Sequence, residues 1–577
     1  MLRAYALGLD YGTNSVRALI VDTQTGAEVG TGVFDYPSGQ AGILLDPADP
    51  NLARQNPQDY LDGLEGAVRA ALADAAGAEG FSPDRVVGIG VDTTGSTPIP
   101  VDAEGRPLGL DPQYRDTLAA QVWLWKDHTG HAEAAEITAA AKRQHPEYLA
   151  TCGGTYSSEW FWSKLLRCAR VAPDVFEAAH TWVEHADWMP AVLTGTEHPD
   201  ALTRGVCAAG HKAMFHDRWG GYPDADFLAS LDARLARVRR SLPDATRNAS
   251  EAVGALTDAW ADALGLPAGI PVATGAFDAH LGAVGSGIAP GTLVKIIGTS
   301  TCDLMVAPLT EDVSEAPGLC GVVPESVVPG QYGLEAGQSA VGDIFNWFVG
   351  TIRPEGETHE SLTQKAEALR PGESGLLALD WHNGNRTVLV DQRLTGLVLG
   401  LTLYTTPAEM YRAFVEATAF GARVIMERYE EIGAPVERIV NCGGISAKNE
   451  LVMQIYADVM QRPLYISRSA QTCALGAAMA GAVVAGAEAG GHADFPAAVD
   501  AMTGVRDVVF RPDAERAAVY DRLFDHYRQL HDAFGVAGSS GDLTRVMKDL
   551  LDLRDAVRGG ASEAHEPASV EAAAHDA

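Results

Sequence analysis

The chain has 577 residues, beyond the size at which a single hydrophobic core stops growing, so two large domains are expected. Apolar residues make up 46% and charged residues 21%, and 76 acids against 43 bases give a formal net charge of -33. A surface that negative repels phosphate backbones and anionic lipid, which excludes nucleic acid and membrane as expected partners; an anionic ligand would need backbone N–H groups or an isolated lysine.

The first element, Leu7 to Asp22 (LGLDYGTNSVRALIVD), predicts two short strands around a turn at Gly12, Thr13, Asn14 and Ser15. The N-terminus runs into Asp10 too soon for a signal-peptide core. Helical periodicity follows at Tyr60 to Ala75, then a buried strand and a polar, Gly-containing loop from Val86 to Asp102. Leu293 to Val306 repeats the hairpin pattern around Gly298, Thr299 and Ser300. Val436 to Met460 predicts a strand, a Gly443-Gly444 turn and an amphipathic helix. Ala477 to Ala487 is too short to span a bilayer and predicts a buried helix. Past Ala537 the chain becomes Gly/Ser-rich, then offers a helix at Leu543 to Val557 and an Ala/Glu/His tail expected to be disordered. Strands alternating with helices predict an α/β fold, and the half-chain echo predicts two related domains, 1–287 and 288–536, with a tail at 537–577.

Seven scattered cysteines without a CxxC pair argue against a disulfide framework and a zinc knuckle, and the cell interior is the expected location. A Gly-Thr turn between strands exposes consecutive backbone N–H groups that can hold phosphate oxygens without net positive charge. Asp10, just before the first turn, could hold a hydrated Mg²⁺ beside them. The bland alternative is an ordinary hairpin, since Gly, Asn, Thr and Ser are common turn residues. A second such turn at 298–300 favours the phosphate reading, because two turns facing each other could clamp a triphosphate. Gly443 and Gly444 would let backbone approach a flat nucleotide, or they merely permit a tight turn. No Walker A sequence, protein-kinase signature or GxGxxG turn after a strand is present.

The order DYGTNS, GAFDAHLGAVGSG, IGTST, NCGGISAKNE and ALGAAMAG resembles the actin-type ATP-binding superfamily, and more narrowly the FGGY carbohydrate kinases. The loops VDTTGSTPIPVD, LWKDHT, YSSEWFWSKLL, GHKAMFH and GLEAGQSAVGD resemble the branch of that family that phosphorylates L-ribulose. The resemblance covers nearly the whole chain before the tail. It implies two actin-like (ribonuclease H-like) domains flanking a cleft, the first mainly binding sugar and the second mainly binding ATP. The implied reaction converts ATP and L-ribulose to ADP and L-ribulose 5-phosphate with Mg²⁺, as in L-arabinose breakdown; family members are often dimers.

By the same resemblance Asp278 in GAFDAH is the catalytic base, although the residues alone suggest a helix-capping acid. Gly95, Ser96, Trp125, Asp127, Lys212 and Glu335 would line the sugar pocket. Trp125 would cover an apolar face of the sugar, and Asp127 and Glu335 would accept hydroxyl hydrogen bonds. Gly12 to Ser15, Gly298 to Ser300, Gly443, Gly444 and Asn449 would hold ATP, and Asp10 the Mg²⁺ through water. Trp160, Phe161 and Trp162 are expected to pack beneath the sugar pocket. His128, His131, His211, His216 and His280 show no metal-ligand spacing, and no metal is assigned to them. Two rivals follow: a family kinase for another pentulose or a pentitol (xylulose, ribitol), and an actin-fold ATPase that switches partners without phosphorylating sugar.

Overall fold

A computed structural model describes residues 3–310, 313, 316–539, 541, 543 and 546–559. The first half builds one twisted sheet. Strands β1 (Tyr5–Tyr11), β2 (Ser15–Asp22) and β3 (Glu28–Asp35) form an antiparallel meander. β4 (Val86–Thr93) joins β1 in parallel, and β5 (Ala252–Ala255), β6 (Pro271–Ala273) and β7 (Ala276–Phe277) complete the order β5-β6-β4-β1-β2-β3, with β7 beside β4.

The second sheet repeats the scheme. It contains β8 (Thr292–Ile297), β9 (Thr301–Pro308), β10 (Gly321–Pro324), β11 (Gln331–Ala336), β12 (Arg438–Cys442), β13 (Leu464–Ser467) and β14 (Val505–Phe510). Their order is β10-β11-β9-β8-β12-β13-β14. β8 pairs antiparallel with β9 and parallel with β12, as β1 does with β2 and β4. The half-chain echo in the sequence is therefore a repeated α/β topology. Both faces of these sheets are covered, which is why β1 and β2 are apolar along nearly their whole length.

Seven helices bear on the site and its support: α1 (Pro57–Ala75), α2 (Phe161–Val171), α3 (Val206–Ala213), α4 (Asp278–Gly285), α5 (Glu450–Met460), α6 (Thr472–Ala485) and α7 (Val546–Gly559). α1 starts where Asn56 accepts from Gln58 N and Pro57 pre-sets the first turn. It buries Tyr60, Leu64, Ala67, Val68, Ala71 and Ala75, the apolar stripe visible in the sequence. α6 is the Ala/Gly run, and its composition has a packing reason. A Cβ at Gly8 or at Gly90 would come within 1.9 Å of a carbonyl oxygen of α6, at Ala474 and Ala477 respectively. Only glycine on the strands and small residues on the helix let these backbones meet.

α6 thus belongs by sequence to the second half but lies against the first sheet. A continuous core containing Leu19, Val21, Leu281, Val294, Leu304, Leu475 and Met479 joins the two halves there. Near the C-terminus the predicted helix is present as α7, with Val546, Leu550 and Leu553 buried against the second core. The tail expected to be disordered lies, from residue 560 on, outside the described residues. Among the described residues no helix is long and apolar enough to cross a membrane.

Candidate active site

Three carboxylates meet where β1, β4 and β7 end. Parallel pairing puts Asp10 in register with Asp92, and β7 sets Ala276 beside Asp92 so that Asp278, two residues on, opens α4. Asp92 is fully buried. Burial first, then the charges of Asp10 and Asp278, push its carboxyl well above the usual range. Burial also raises Asp10, against the opposing pull of Arg17 at 3.4 Å. Asp278 is pushed up to about 7, by burial first and then by the charge of Asp10, and its Oδ1 accepts from Ala279 N at 2.6 Å. A carboxyl poised near neutral pH suits proton transfer from an alcohol. Asp92 was missed by sequence patterning: its place near the end of a buried strand was visible, but the parallel pairing of that strand with β1 was not.

The charged groups beside these acids come from both halves of the chain. Lys212 Nζ, near the end of α3, lies 3.1 and 3.2 Å from the two oxygens of Glu335 on β11. Both residues are about 6% exposed. The charge of Lys212 holds Glu335 well below the ordinary carboxylate range despite its burial, and Glu335 in turn raises Lys212. Lys212 Nζ also lies 5.3 Å from the Trp160 ring centroid and 5.8 Å from that of Phe277. The aromatic run does pack beneath this lysine. Tyr156 Oη donates to Lys212 O at 2.6 Å, and Trp162 Nε1 to Ala213 O at 2.8 Å.

Of the histidines, His211 and His280 come together although 69 positions separate them in sequence. His211 Nδ1 and His280 Nε2 lie 3.2 and 3.6 Å from the same oxygen of Glu335. Linear spacing had no way of showing this, because the strand that brings Glu335 arrives from the other half.

The loops at Ser96 and Trp125 are held from behind. Ser96 Oγ donates to Glu184, and Thr97 N donates to the same carboxylate at 2.7 Å. Lys164 on α2 donates to Ser96 O (2.7 Å) and Leu124 O (2.8 Å), tying the two loops together. Its burial lowers it to about 7. Trp125 Nε1 donates to Thr13 Oγ1 at 3.0 Å, so this indole joins the pocket loop to the first Gly-Thr turn.

One expectation fails. Asp127 cannot accept a sugar hydroxyl. It is fully buried, with one oxygen taking Arg54 Nη1 and Ala53 N (2.8 Å) and the other taking Thr129 N (3.2 Å) and Thr129 Oγ1 (2.6 Å). All four acceptor positions of the carboxylate are filled, and Asp127 is a strut beneath the loop.

The two Gly-Thr turns form as expected. Gly12 N donates to Ser15 O at 2.9 Å, and Gly298 N to Ser300 O at 3.0 Å. Asn14 Nδ2 donates to Ala41 O (2.6 Å), and Thr299 O accepts from Val341 N (2.8 Å) and Asp343 N (3.1 Å). Gly298 and Thr299 are exposed. Gly443 needs its positive φ of 93°, and a Cβ there would strike Ile297 O at 2.5 Å, whereas nothing lies within 4 Å of a Cβ built on Gly444. Asn449 is already employed: it caps α5 through Val452 N (3.1 Å) and donates to Thr363 Oγ1 (3.3 Å).

Comparison with known proteins follows the same division. Residues 5–285 match the N-terminal domain of the FGGY family of carbohydrate kinases and residues 293–485 match its C-terminal domain. A ribulokinase from Shouchella clausii is 42% identical over 579 residues, covering 98% of this chain and 100% of that protein. A ribulokinase from Mycolicibacterium smegmatis is 40% identical over 571 residues, with 96% and 98% covered. Among solved structures, a xylulose kinase from Rhodospirillum rubrum superposes with a TM-score of 0.75 at 25% identity, covering 92% of this chain and 98% of that one. A glycerol kinase from Plasmodium falciparum solved with ADP gives 0.73 at 15% identity, with the same coverage, and supports the fold alone. With both family domains present, in order, and together spanning most of its length, the chain belongs to the FGGY family of carbohydrate kinases.

Proposed function

We propose that the chain transfers the γ-phosphoryl group of ATP to L-ribulose, giving L-ribulose 5-phosphate. The observation that carries this reading is the meeting of Lys212 and Glu335, one from each half of the chain, beside Asp278. The choice of sugar draws on the full-length relatives that bear the ribulokinase name.

In this reading the sugar lies against the first half, with ATP mainly on the second. Lys212 and Glu335 bind hydroxyls, and Gly95 and Ser96 line the wall. Asp278 accepts the proton of the terminal hydroxyl as its oxygen attacks phosphorus. Phosphoryl transfer asks for alignment and charge stabilisation rather than covalent catalysis, so one carboxylate is sufficient. The exposed turn at Gly298–Ser300 and its counterpart at Gly12–Ser15 hold phosphates through backbone N–H groups, and the open face at Gly444 receives the nucleoside.

Asp10 presents carboxylate oxygen near the end of β1, the donor a hard cation prefers, and would hold Mg²⁺ through water. That ion, when bound with ATP, neutralises phosphate charge. Because Glu335 and Lys212 sit on opposite halves, sugar binding fixes how the halves meet and keeps competing water from the acceptor position.

A coupled ADP-release assay over the four 2-ketopentoses, xylitol and ribitol tests the reading. Turnover with L-ribulose at the highest kcat/KM is expected. Activity confined to xylulose or to a pentitol would replace the substrate, and sugar-independent ATPase alone would replace the kinase reading with a nucleotide switch.

A further inference from the structure

The cluster of His211, His280 and Glu335 is more than a wall of the sugar pocket. One oxygen of Glu335 lies 3.2 Å from His211 Nδ1 and 3.6 Å from His280 Nε2, and the three ligand atoms all fall within 4.8 Å of one another. Zinc bonds of about 2.0–2.2 Å in a tetrahedron place neighbouring ligand atoms about 3.3–3.6 Å apart. Both measured separations lie within about 0.1 Å of that range.

The hydrogen bonding points the same way. Ser326 Oγ lies 3.1 Å from Val323 O and 2.9 Å from His211 Nε2, and when its proton goes to Val323 O it accepts from His211. In that tautomer His211 Nδ1 turns its lone pair toward the Glu335 carboxylate 3.2 Å away, the form a cation would select; in the other tautomer Nδ1–H donates to Glu335. His280 has no hydrogen-bond partner at either ring nitrogen. Both imidazoles are 2% exposed or less, so water does not make up the deficit. Room for the His211 ring is made by Gly321, where a Cβ would stand 2.2 Å from Nδ1. A cation between the three groups would satisfy all of these lone pairs at once.

We propose that His211, His280 and Glu335 form a binding site for a divalent transition-metal ion of the Zn²⁺ class, separate from the Asp10 position. Two imidazoles and one carboxylate select such ions over Mg²⁺, which prefers oxygen alone. The occupant competes with Lys212, whose ammonium now neutralises Glu335 at 3.1 Å. Released from Glu335, Lys212 retains the ring faces of Trp160 and Phe277 as alternative neighbours. The metal therefore antagonises sugar binding; this antagonism, but not the site itself, rests on the proposed sugar reading.

The test uses the full chain, free of nucleotide, titrated with Co²⁺ as a spectroscopic probe and with Zn²⁺ by calorimetry. Wild-type protein is expected to bind one ion with ligand-field absorption of low coordination number, and Zn²⁺ to displace Co²⁺. His280→Gln should weaken binding by roughly 10- to 100-fold, as loss of a ligand or its support does at metal sites. Lys212→Met should bind more tightly than wild type, because the competing ammonium is gone. Absence of stoichiometric binding by the wild type, or equal affinity in His280→Gln, overturns the site. L-Ribulose should raise the apparent Zn²⁺ dissociation constant. Stoichiometric Zn²⁺ binding that the sugar leaves unchanged would support the metal site while overturning the antagonism and the placement of sugar at Glu335.

Discussion

In the proposed reading, the groups assigned to sugar and those assigned to nucleotide are built on different principles. On the sugar side, functional groups are buried side chains, each held by another: Ser96 by Glu184, the Ser96 and Leu124 carbonyls by Lys164, and the Trp125 loop by the Asp127–Arg54 pair. On the nucleotide side the candidate groups are backbone, presented by exposed turns at Gly298–Thr299 and by an open Gly444. A sugar is recognised by hydroxyl positions that differ between epimers, which demands rigid, directional partners. A phosphate chain is recognised by charge, for which oriented N–H groups are enough. The difference predicts that side-chain substitutions should injure the sugar side far more than the nucleotide side.

Asp278 stands between the two sides, and its loss should be the most damaging. Asp278→Asn is expected to lower kcat by roughly 10²–10⁴-fold while leaving ATP affinity within a few-fold, as a missing general base does; single-turnover kinetics and nucleotide titration measure the two separately. Retained turnover would remove the base from the scheme. The carboxyl sits at about 7, above its usual value, so the protonated, inactive form gains as pH falls. In the kcat/KM profile a loss of roughly tenfold per pH unit is expected below neutrality.

Asp127→Ala separates strut from ligand. It leaves the buried Arg54 guanidinium without its partner, at a cost of about 3–5 kcal/mol of stability, read from the denaturant midpoint. Folded protein that loses sugar affinity at unchanged stability would restore Asp127 to the pocket.

The next two substitutions compare the sides directly. Ser96→Ala takes one donor from the buried Glu184 at a cost of about 1–3 kcal/mol, which should appear in KM for sugar rather than for ATP. Thr299→Ala on the exposed turn should change KM for ATP by no more than about twofold, the range of ordinary surface substitutions, because the turn acts through its backbone. Equal losses at Ser96 and Thr299 would break the contrast.

Much of this was legible in the chain itself. Local pattern was enough for the hairpin at Leu7–Asp22, its echo at Leu293–Val306 and the helix ending at Ala75, because period and turn chemistry are properties of neighbouring residues. Asp127 was misjudged because burial and partners are not local: Arg54, 73 positions earlier, fills its carboxylate. Lys164 had no sequence signal of its own, and only the arrival of two loop carbonyls made it a tie between them.

Sequence alone determined the repeated α/β halves, the two Gly-Thr turns and the carboxylate that opens α4, since each depends on residues within a few positions of one another. Tertiary structure alone decided that Asp92 joins Asp10, that Glu335 reaches Lys212, and that His211 and His280 share one oxygen of that glutamate. Strand register and the close seating of the two halves through Gly8, Gly90 and α6 set those meetings, and neither is written in any single stretch of chain.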